Sequence, residues 1–290
     1  MSENKVRPIL IPLHFGANTK GIELGAEYII ENLKDYILLP EVEIGDDIKD
    51  KKLKNLATVV ATNSLLSSVT ASIYEAGQFP LIIGGDHSVA LGSISAIATR
   101  EPNLGVIWID AHGDMNTNET SESGNIHGMI LAALLGEGEE SLVNLYENKI
   151  KIKKKNVVIF GVRDLDQQEE ATIKKLKIKI FTYTYIKKVG LAVALQEVEQ
   201  YFHGKIDKLH VSIDLDSLDP VLIPGVSVPV SKGFEKDDVR NIITHLFKDF
   251  EISSADIVEY NPLLDEKDKT LNFLLELVKV ITHQVTLQYK

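Results

Sequence analysis

The sequence predicts an α/β fold built on a parallel sheet, and three observations carry that prediction. Short apolar runs of strand length alternate with stretches whose apolar residues recur at helical spacing, a rhythm that implies parallel pairing through right-handed crossovers. Acidic residues and histidines gather directly after several of the apolar runs, where α/β sheets form their ligand crevice. No Pro/Gly/Ser-rich linker divides the 290 residues, a length that suits one large α/β domain over residues 1–290 as well as two small ones.

Taken in order, Val6–Leu13 reads as a first buried strand, and the turn at Gly16–Gly21 leads into an amphipathic helix over Ile22–Leu33. A weaker strand is expected at Ile37–Ile44. Leu53–Gly77 has apolar residues at helical spacing and ends on glycine, the common C-terminal stop. Phe79–Ile83 is a short strand, Gly84-Gly85-Asp86-His87 its turn, and Ser88–Ala98 the next helix. Gly105–Ile109 is short and wholly apolar, as a strand buried on both faces must be. Helix is then expected at His127–Leu135, strand at Asn156–Val162, helix at Asp166–Leu176, strand at Ile178–Phe181 and helix at Leu191–Phe202. The second half repeats the rhythm: strand Leu209–Leu215, helix Lys236–Phe250, strand Ile252–Glu259 and helix Lys269–Gln284.

The formal net charge of −11, from 31 basic and 42 acidic residues, argues against nucleic acid or anionic membrane as a partner and favours a small cationic substrate. There is no cysteine, which removes disulfides, thiolate zinc sites and thiol catalysis. The N-terminus lacks a signal-like apolar segment and no apolar run reaches membrane-spanning length, so a cytoplasmic location is the expectation.

Asp110, His112 and Asp114 follow the Gly105–Ile109 run at alternate positions, and such side chains leave an extended segment on one face. Asp214 and Asp216 likewise share a face at the end of Leu209–Leu215. Two adjacent carboxylates in a buried place repel unless a cation neutralises them. With His87 the set comprises two imidazoles and four carboxylates, too many for one transition ion and suited to two. So oxygen-rich a set favours Mn²⁺ over Zn²⁺, with Fe, Co and Ni as competitors.

Each piece has a plainer reading alone. Asp110-x-His112-x-Asp114 could be turn and cap residues, Asp86 a helix cap, and Asp214-x-Asp216 a strand end. Asp166 and Glu169 have the spacing of a capping box. His127 lies beyond a polar loop at a helix start. His210 shares the strand face of Asp214 and is placed to hydrogen-bond behind the ligands. Glu259 ends an apolar strand with no Lys or Arg nearby in sequence, which favours a functional role.

At these residues the sequence resembles the ureohydrolase family of arginases and agmatinases. The matching motifs are GGDHS (84–88), DAHGDMN (110–116), SGNIHGM (123–129), GVRDLDQQE (161–169), SIDLDSLDP (212–220) and EYNPLLDEKDKT (259–270). The resemblance implies a three-layer α/β/α sandwich around a mostly parallel eight-stranded sheet, assembled as trimers or hexamers. It implies hydrolysis of L-arginine to L-ornithine and urea by a hydroxide bridging two Mn²⁺ ions, with agmatine or another guanidino or formimino compound as the alternative substrate. His87, Asp110, Asp114 and Asp214 would bind one ion, and His112, Asp110, Asp214 and Asp216 the other. By the same resemblance Glu259 would pair with the guanidinium, Asp114 would protonate the leaving amine and His127 would shuttle protons. Asn116, Ser123 and Asn125 would meet the substrate carboxylate, and Asp166 with Glu169 the α-ammonium. One departure is Ser227-Val228-Pro229, where arginases commonly carry Gly-Thr-Pro.

Overall fold

The computed structural model describes residues 5–42, 44 and 52–290. The first half contains β1 (Val6–Leu10), α1 (Gly25–Ile30), β2 (Ile37–Leu38), α2 (Leu56–Glu75), β3 (Phe79–Ile83), α3 (Ala90–Ala98), β4 (Leu104–Ile109), α4 (Ile130–Leu134) and α5 (Glu140–Val143). The second contains β5 (Val157–Val162), α6 (Gln167–Leu176), β6 (Lys179–Thr182), α7 (Tyr183–Val189), α8 (Leu191–Phe202), β7 (Lys208–Asp214), α9 (Lys236–Asp249), β8 (Ile252–Val258) and α10 (Lys269–Gln288).

Among the described residues eight strands form one sheet in the order β2-β1-β3-β8-β7-β4-β5-β6, and every pairing is parallel. Successive strand residues point to opposite faces. Ile107, Ile109, Val158 and Phe160 therefore enter a core shared with α1, α7, α8, α9 and α10, while Val106, Trp108, Val157 and Ile159 meet α3, α4, α5 and α6 on the other side. Because both faces are covered, β3, β4, β5 and β8 are buried along their whole length. This is the expected three-layer α/β/α sandwich. The sheet is parallel throughout rather than mostly so.

Several boundaries differ from the sequence reading for local reasons. The strand expected at Ile37–Ile44 pairs only over Ile37–Leu38, and Glu43 of that reading lies outside the described residues. Pro40 follows two residues later and has no N–H to continue a ladder. The first helix divides into a 3₁₀ turn at Ile22–Leu24 and α1, which stops at Ile30. Tyr183–Val189, rich in aromatic and β-branched residues, gave no helical signal in the sequence. It is nevertheless helical, because Thr182 Oγ1 accepts the Tyr185 N–H and Gly190, at φ 90°, stops the helix.

The sequence reading found no apolar run of membrane-spanning length, yet α2 qualifies by length and composition, with a mean hydropathy of 1.4. Half of that window is buried against the protein itself. Its polar residues explain the packing: Asn63 Oδ1 accepts the Gly92 N–H at 2.9 Å, and Ser67 Oγ donates to the Gly92 carbonyl at 3.0 Å. A Cβ on Gly92 would sit 2.7 Å from Asn63 Oδ1, so only glycine lets α2 and α3 approach this closely.

Gly161 is a second such position. It lies in the irregular part of β5 at φ 101°, and a Cβ there would be 2.5 Å from the Phe234 ring. Backbone strain and overpacking act together at one residue, so Gly161→Ala should destabilise the chain by about 2–4 kcal/mol. Thermal unfolding of the two proteins side by side tests this, and an unchanged midpoint would contradict the assigned packing.

Candidate active site

Four adjacent central strands deliver the functional side chains. β3, β8, β7 and β4 are neighbours in the sheet, and just past their carboxyl ends stand His87, Glu259, Asp214 with Asp216, and Asp110 with His112 and Asp114. The chain leaves β3 and returns at β4, with β8 and β7 lying between them in the sheet, which opens a crevice at the strand ends.

His87 Nδ1 lies 3.0 Å from Asp110 Oδ2, 3.1 Å from Asp214 Oδ2 and 3.3 Å from Asp114 Oδ2. His112 Nδ1 lies 3.0 Å from Asp216 Oδ2 and 3.4 Å from Asp110 Oδ1. Asp110 thus turns one oxygen to each imidazole. Its place between them makes two adjoining groups able to hold a metal ion, His87–Asp110–Asp214 and Asp110–His112–Asp216, each with ligand atoms within 4.8 Å of one another. Asp214 approaches His87 through Oδ2, while its Oδ1 accepts the Asp216 N–H at 2.7 Å. β7 ends at Asp214 and a 3₁₀ turn carries Asp216, so a turn as well as strand alternation brings these two carboxylates together.

The electrostatics show what this crowding costs. Burial, with Asp110 adding its charge, pushes Asp114 well above the ordinary carboxylate range, and burial with Asp216 and Asp110 does the same to Asp214. Burial also raises Asp216. Asp110 goes the other way, because the close approach of the His112 and His87 imidazoles outweighs its burial. His87 Nδ1 and His112 Nε2 are buried without an aligned hydrogen-bond partner. Four carboxylates and two imidazoles, with His87 Nδ1 orphaned among the carboxylates, are a donor set that fits two divalent cations.

The surrounding shell holds these groups in place. Trp108 stacks on the His87 ring at 3.9 Å between centroids, and its indole N–H donates to Asp110 Oδ2 at 2.9 Å. The sequence reading took Trp108 only as strand core; its position two residues before Asp110, on the same face, was the available signal. Arg163 went unnoticed too. Its guanidinium donates to the carbonyls of Asp216, Ser217, Leu218 and Val230 at 2.7–3.2 Å, fixing the loop beyond β7. Asp114 and Glu259 both hold positive φ, 49° and 68°, a strained backbone of the kind found at functional sites.

Glu259 was expected to have no protein cation beside it, and here the structure differs. Its Oε1 lies 3.0 Å from His127 Nδ1 and accepts the His87 backbone N–H at 2.8 Å, while Oε2 is buried without a partner. Burial opposes the charge on His127, but its hydrogen bond with Glu259 and that carboxylate's charge prevail, and the imidazole is pushed up to about 9. Glu259 in turn is held below its usual range by His127, despite its own burial. The pair was invisible in the sequence because 132 positions separate its members. Gly16, near the first strand, anchors the His127 N–H through its carbonyl at 3.2 Å.

A cavity of about 140 Å³ opens over these groups, lined by His112, Asp114, Asn116, His127, Glu169, Asp214, Asp216, Val228 and Glu259. Of the residues expected at the substrate's far end, Asn116 and Glu169 line it, whereas Ser123, Asn125 and Asp166 do not. Asp166 is joined to the wall through Asn116 Nδ2, 2.7 Å from its Oδ2, and with Glu169 it forms the expected capping box of α6. Asn125 Nδ2 donates to the Ala17 carbonyl, and its Oδ1 accepts from Lys54, a cation the sequence reading had not connected with this loop. His210 bonds Asp256 and Ser254 behind the ligands. His14 and His245 form ion pairs with Glu41 and Asp249 instead.

Comparison with known proteins agrees with this geometry over nearly the whole chain. A family model described as the arginase family matches residues 5–283. The arginase of Bacillus subtilis is 42% identical over 289 residues, covering 96% of this chain and 97% of the relative, and that of Bacillus caldovelox is 38% identical over 92% and 94%. The crystal structure of the Bacillus subtilis arginase superposes with a TM-score of 0.88 at 39% identity, covering 96% of this chain and 98% of that one. The fold, the ligand groups at the strand ends and the full-length similarity have one conclusion: the chain belongs to the arginase family.

Proposed function

We propose that this chain is an arginase, a hydrolase that splits L-arginine into L-ornithine and urea with two Mn²⁺ ions in its site. One observation carries the reading: a cavity walled by carboxylates adjoins two metal-ligand groups and has, on its wall, Glu259 with a buried oxygen that no group among the described residues satisfies. Such a site suits a planar cation with N–H donors, which a guanidinium is.

His87, Asp110, Asp114 and Asp214 would hold one ion, and His112, Asp110, Asp214 and Asp216 the other. When bound, such a pair neutralises the carboxylates and lowers the pKa of water towards about 7, making hydroxide available at neutral pH. Glu259 receives the guanidinium on its free Oε2 and orients the central carbon towards the metal-ligand groups. His127, charged at neutral pH through its contact with Glu259, lies on the cavity wall and can pass a proton inward and recover it from outside. Asp114, also on the wall, is placed to protonate the leaving amine. Asn116 and Glu169, with Asp166 behind them, hold the α-carboxylate and α-ammonium, and Ser123 and Asn125 complete that end from the adjoining loop. The family relationship supports one functional domain over residues 1–290, a homo-oligomer of three or six chains, and a cytoplasmic role in arginine breakdown.

Asp214→Ala should abolish urea release, with metal content falling well below two ions per chain by elemental analysis. A fully active variant would sink the binuclear reading. His127→Asn should keep both ions while losing about 10²-fold or more in kcat, the scale of a positioned acid or base; loss of an ion in that variant would make His127 a ligand instead. Agmatine is arginine without the α-carboxylate, and the site's polar far end should favour arginine by about 10²-fold or more in kcat/KM. Val228, on the wall near the metal-ligand carboxylates, faces the end both substrates share and should not reverse that order. Urea assays on both compounds decide the matter: an agmatine advantage would move the chain to the agmatinase branch, and Asp166→Ala should weaken arginine hydrolysis with metal content unchanged.

A further inference from the structure

Behind the His87 ring runs a buried polar chain that the reaction itself does not use. His87 Nε2 lies 2.9 Å from Ser212 Oγ, and Ser212 Oγ reaches Asp256 Oδ2 at 3.5 Å. The same Asp256 oxygen is 2.9 Å from His210 Nε2 and 3.0 Å from Ser93 Oγ, while His210 Nδ1 is 2.7 Å from Ser254 Oγ. All six residues are 1% exposed or less. Three strands contribute to the line, with His87 just past β3, His210 and Ser212 on β7, and Ser254 and Asp256 on β8.

The direction of the bonds follows from the number of protons each group owns. Asp256 Oδ2 faces three potential donors, and the geometry makes Ser212 Oγ the donor in its contact with that oxygen, so Ser212 spends its single proton there. The Ser212 oxygen must then accept, and the one donor in reach is an N–H at His87 Nε2. In the neutral ring this leaves Nδ1 unprotonated. The opposite tautomer would set a proton on Nδ1, where oxygens of Asp110, Asp114 and Asp214 stand 3.0–3.3 Å away yet none is aligned to accept it. Trp108, stacked on one face, blocks rotation of the ring out of this arrangement.

We propose that Asp256, acting through Ser212, is a positioning residue that fixes the His87 tautomer and ring angle, so that the Nδ1 lone pair is held towards the carboxylate cluster for a divalent cation. The inference rests on the binuclear reading above. It assigns to two neutral-looking strand residues a part in choosing how tightly one ion of the pair is held. Ser254, on the far side of His210, lies off the line to His87 and supplies a control of the same chemistry and burial.

The test is a titration of the metal-free, full-length protein with Mn²⁺, following free Mn²⁺ by electron paramagnetic resonance. Ser212→Ala should weaken one of the two ions by about 10–100-fold and leave the other within about twofold, whereas Ser254→Ala and the hydroxyl-preserving Ser212→Thr should match wild type. Equal weakening in Ser212→Ala and Ser254→Ala would mean that a lost buried hydroxyl acts only through general packing, and would overturn the proposal. So would unchanged affinity in Ser212→Ala alongside a wild type that binds two ions. A wild type that binds no Mn²⁺ would instead remove the binuclear reading, and this inference with it. Should Ser212→Ala fail to fold, ¹⁵N–¹H correlation spectra of the wild-type protein loaded with diamagnetic Zn²⁺ give the answer directly: the His87 proton is expected on Nε2, and a proton on Nδ1 would refute the assignment.

Discussion

The rest of this structure depends on the mutual repulsion of buried carboxylates. Asp110, Asp114, Asp214 and Asp216 are all nearly inaccessible to solvent, and the last three are pushed towards neutrality by burial first and by like-charged neighbours second. A protein does not keep four such groups together for stability, since each loses its hydration and gains like-charged neighbours. Their presence makes sense only if positive charge is supplied from outside the chain. The two imidazoles meet part of that demand, and His87 Nδ1 stands among three of the carboxylates without an aligned hydrogen bond to any of them.

Holding the cluster in place falls to the parallel sheet. Strands β3, β8, β7 and β4 lie side by side with their carboxyl ends together, so residues far apart in the chain leave the sheet within a few ångströms of each other. Both faces of these strands are packed, and their backbones have little room to relax when the ligands repel. Trp108 and Arg163 add rigidity at close range, one gripping a carboxylate and an imidazole, the other gathering four carbonyls of the loop that follows β7. The positive φ of Asp114 and Glu259 shows where local strain is accepted in exchange for side-chain direction.

A second layer of polarity lies beneath the ligands. His127 and Glu259 form a charged pair on the cavity wall, and His210 hydrogen-bonds Asp256 wholly inside. Each carboxylate leaves one oxygen without a partner among the described residues, but in different settings. Glu259 keeps one oxygen without a partner and facing a cavity, which suits recognition of a cationic ligand. Asp256 gathers three donors on one oxygen, which suits orientation. The overall charge of −11 acts with the first of these, favouring approach of a cation to a site already lined with carboxylates.

The sequence by itself determined the alternation of strands and helices, the placement of Asp110, His112, Asp114, Asp214 and Asp216 beyond apolar runs, and the capping box at Asp166 and Glu169. Each of these is local: strand period, helix period and cap spacing act within a few residues. The family motifs extended that reading to the eight-stranded sandwich and to roles for His87, His127 and Glu259. Tertiary structure alone decided the strand order that joins the β3, β4, β7 and β8 ends, the contact of His127 with Glu259, the link from Asn116 to Asp166, and the line from Asp256 through Ser212 to His87. None of these follows from local pattern, because sequence periodicity says which face a side chain leaves from, whereas its partner is chosen by strands and loops brought together from more than a hundred residues away.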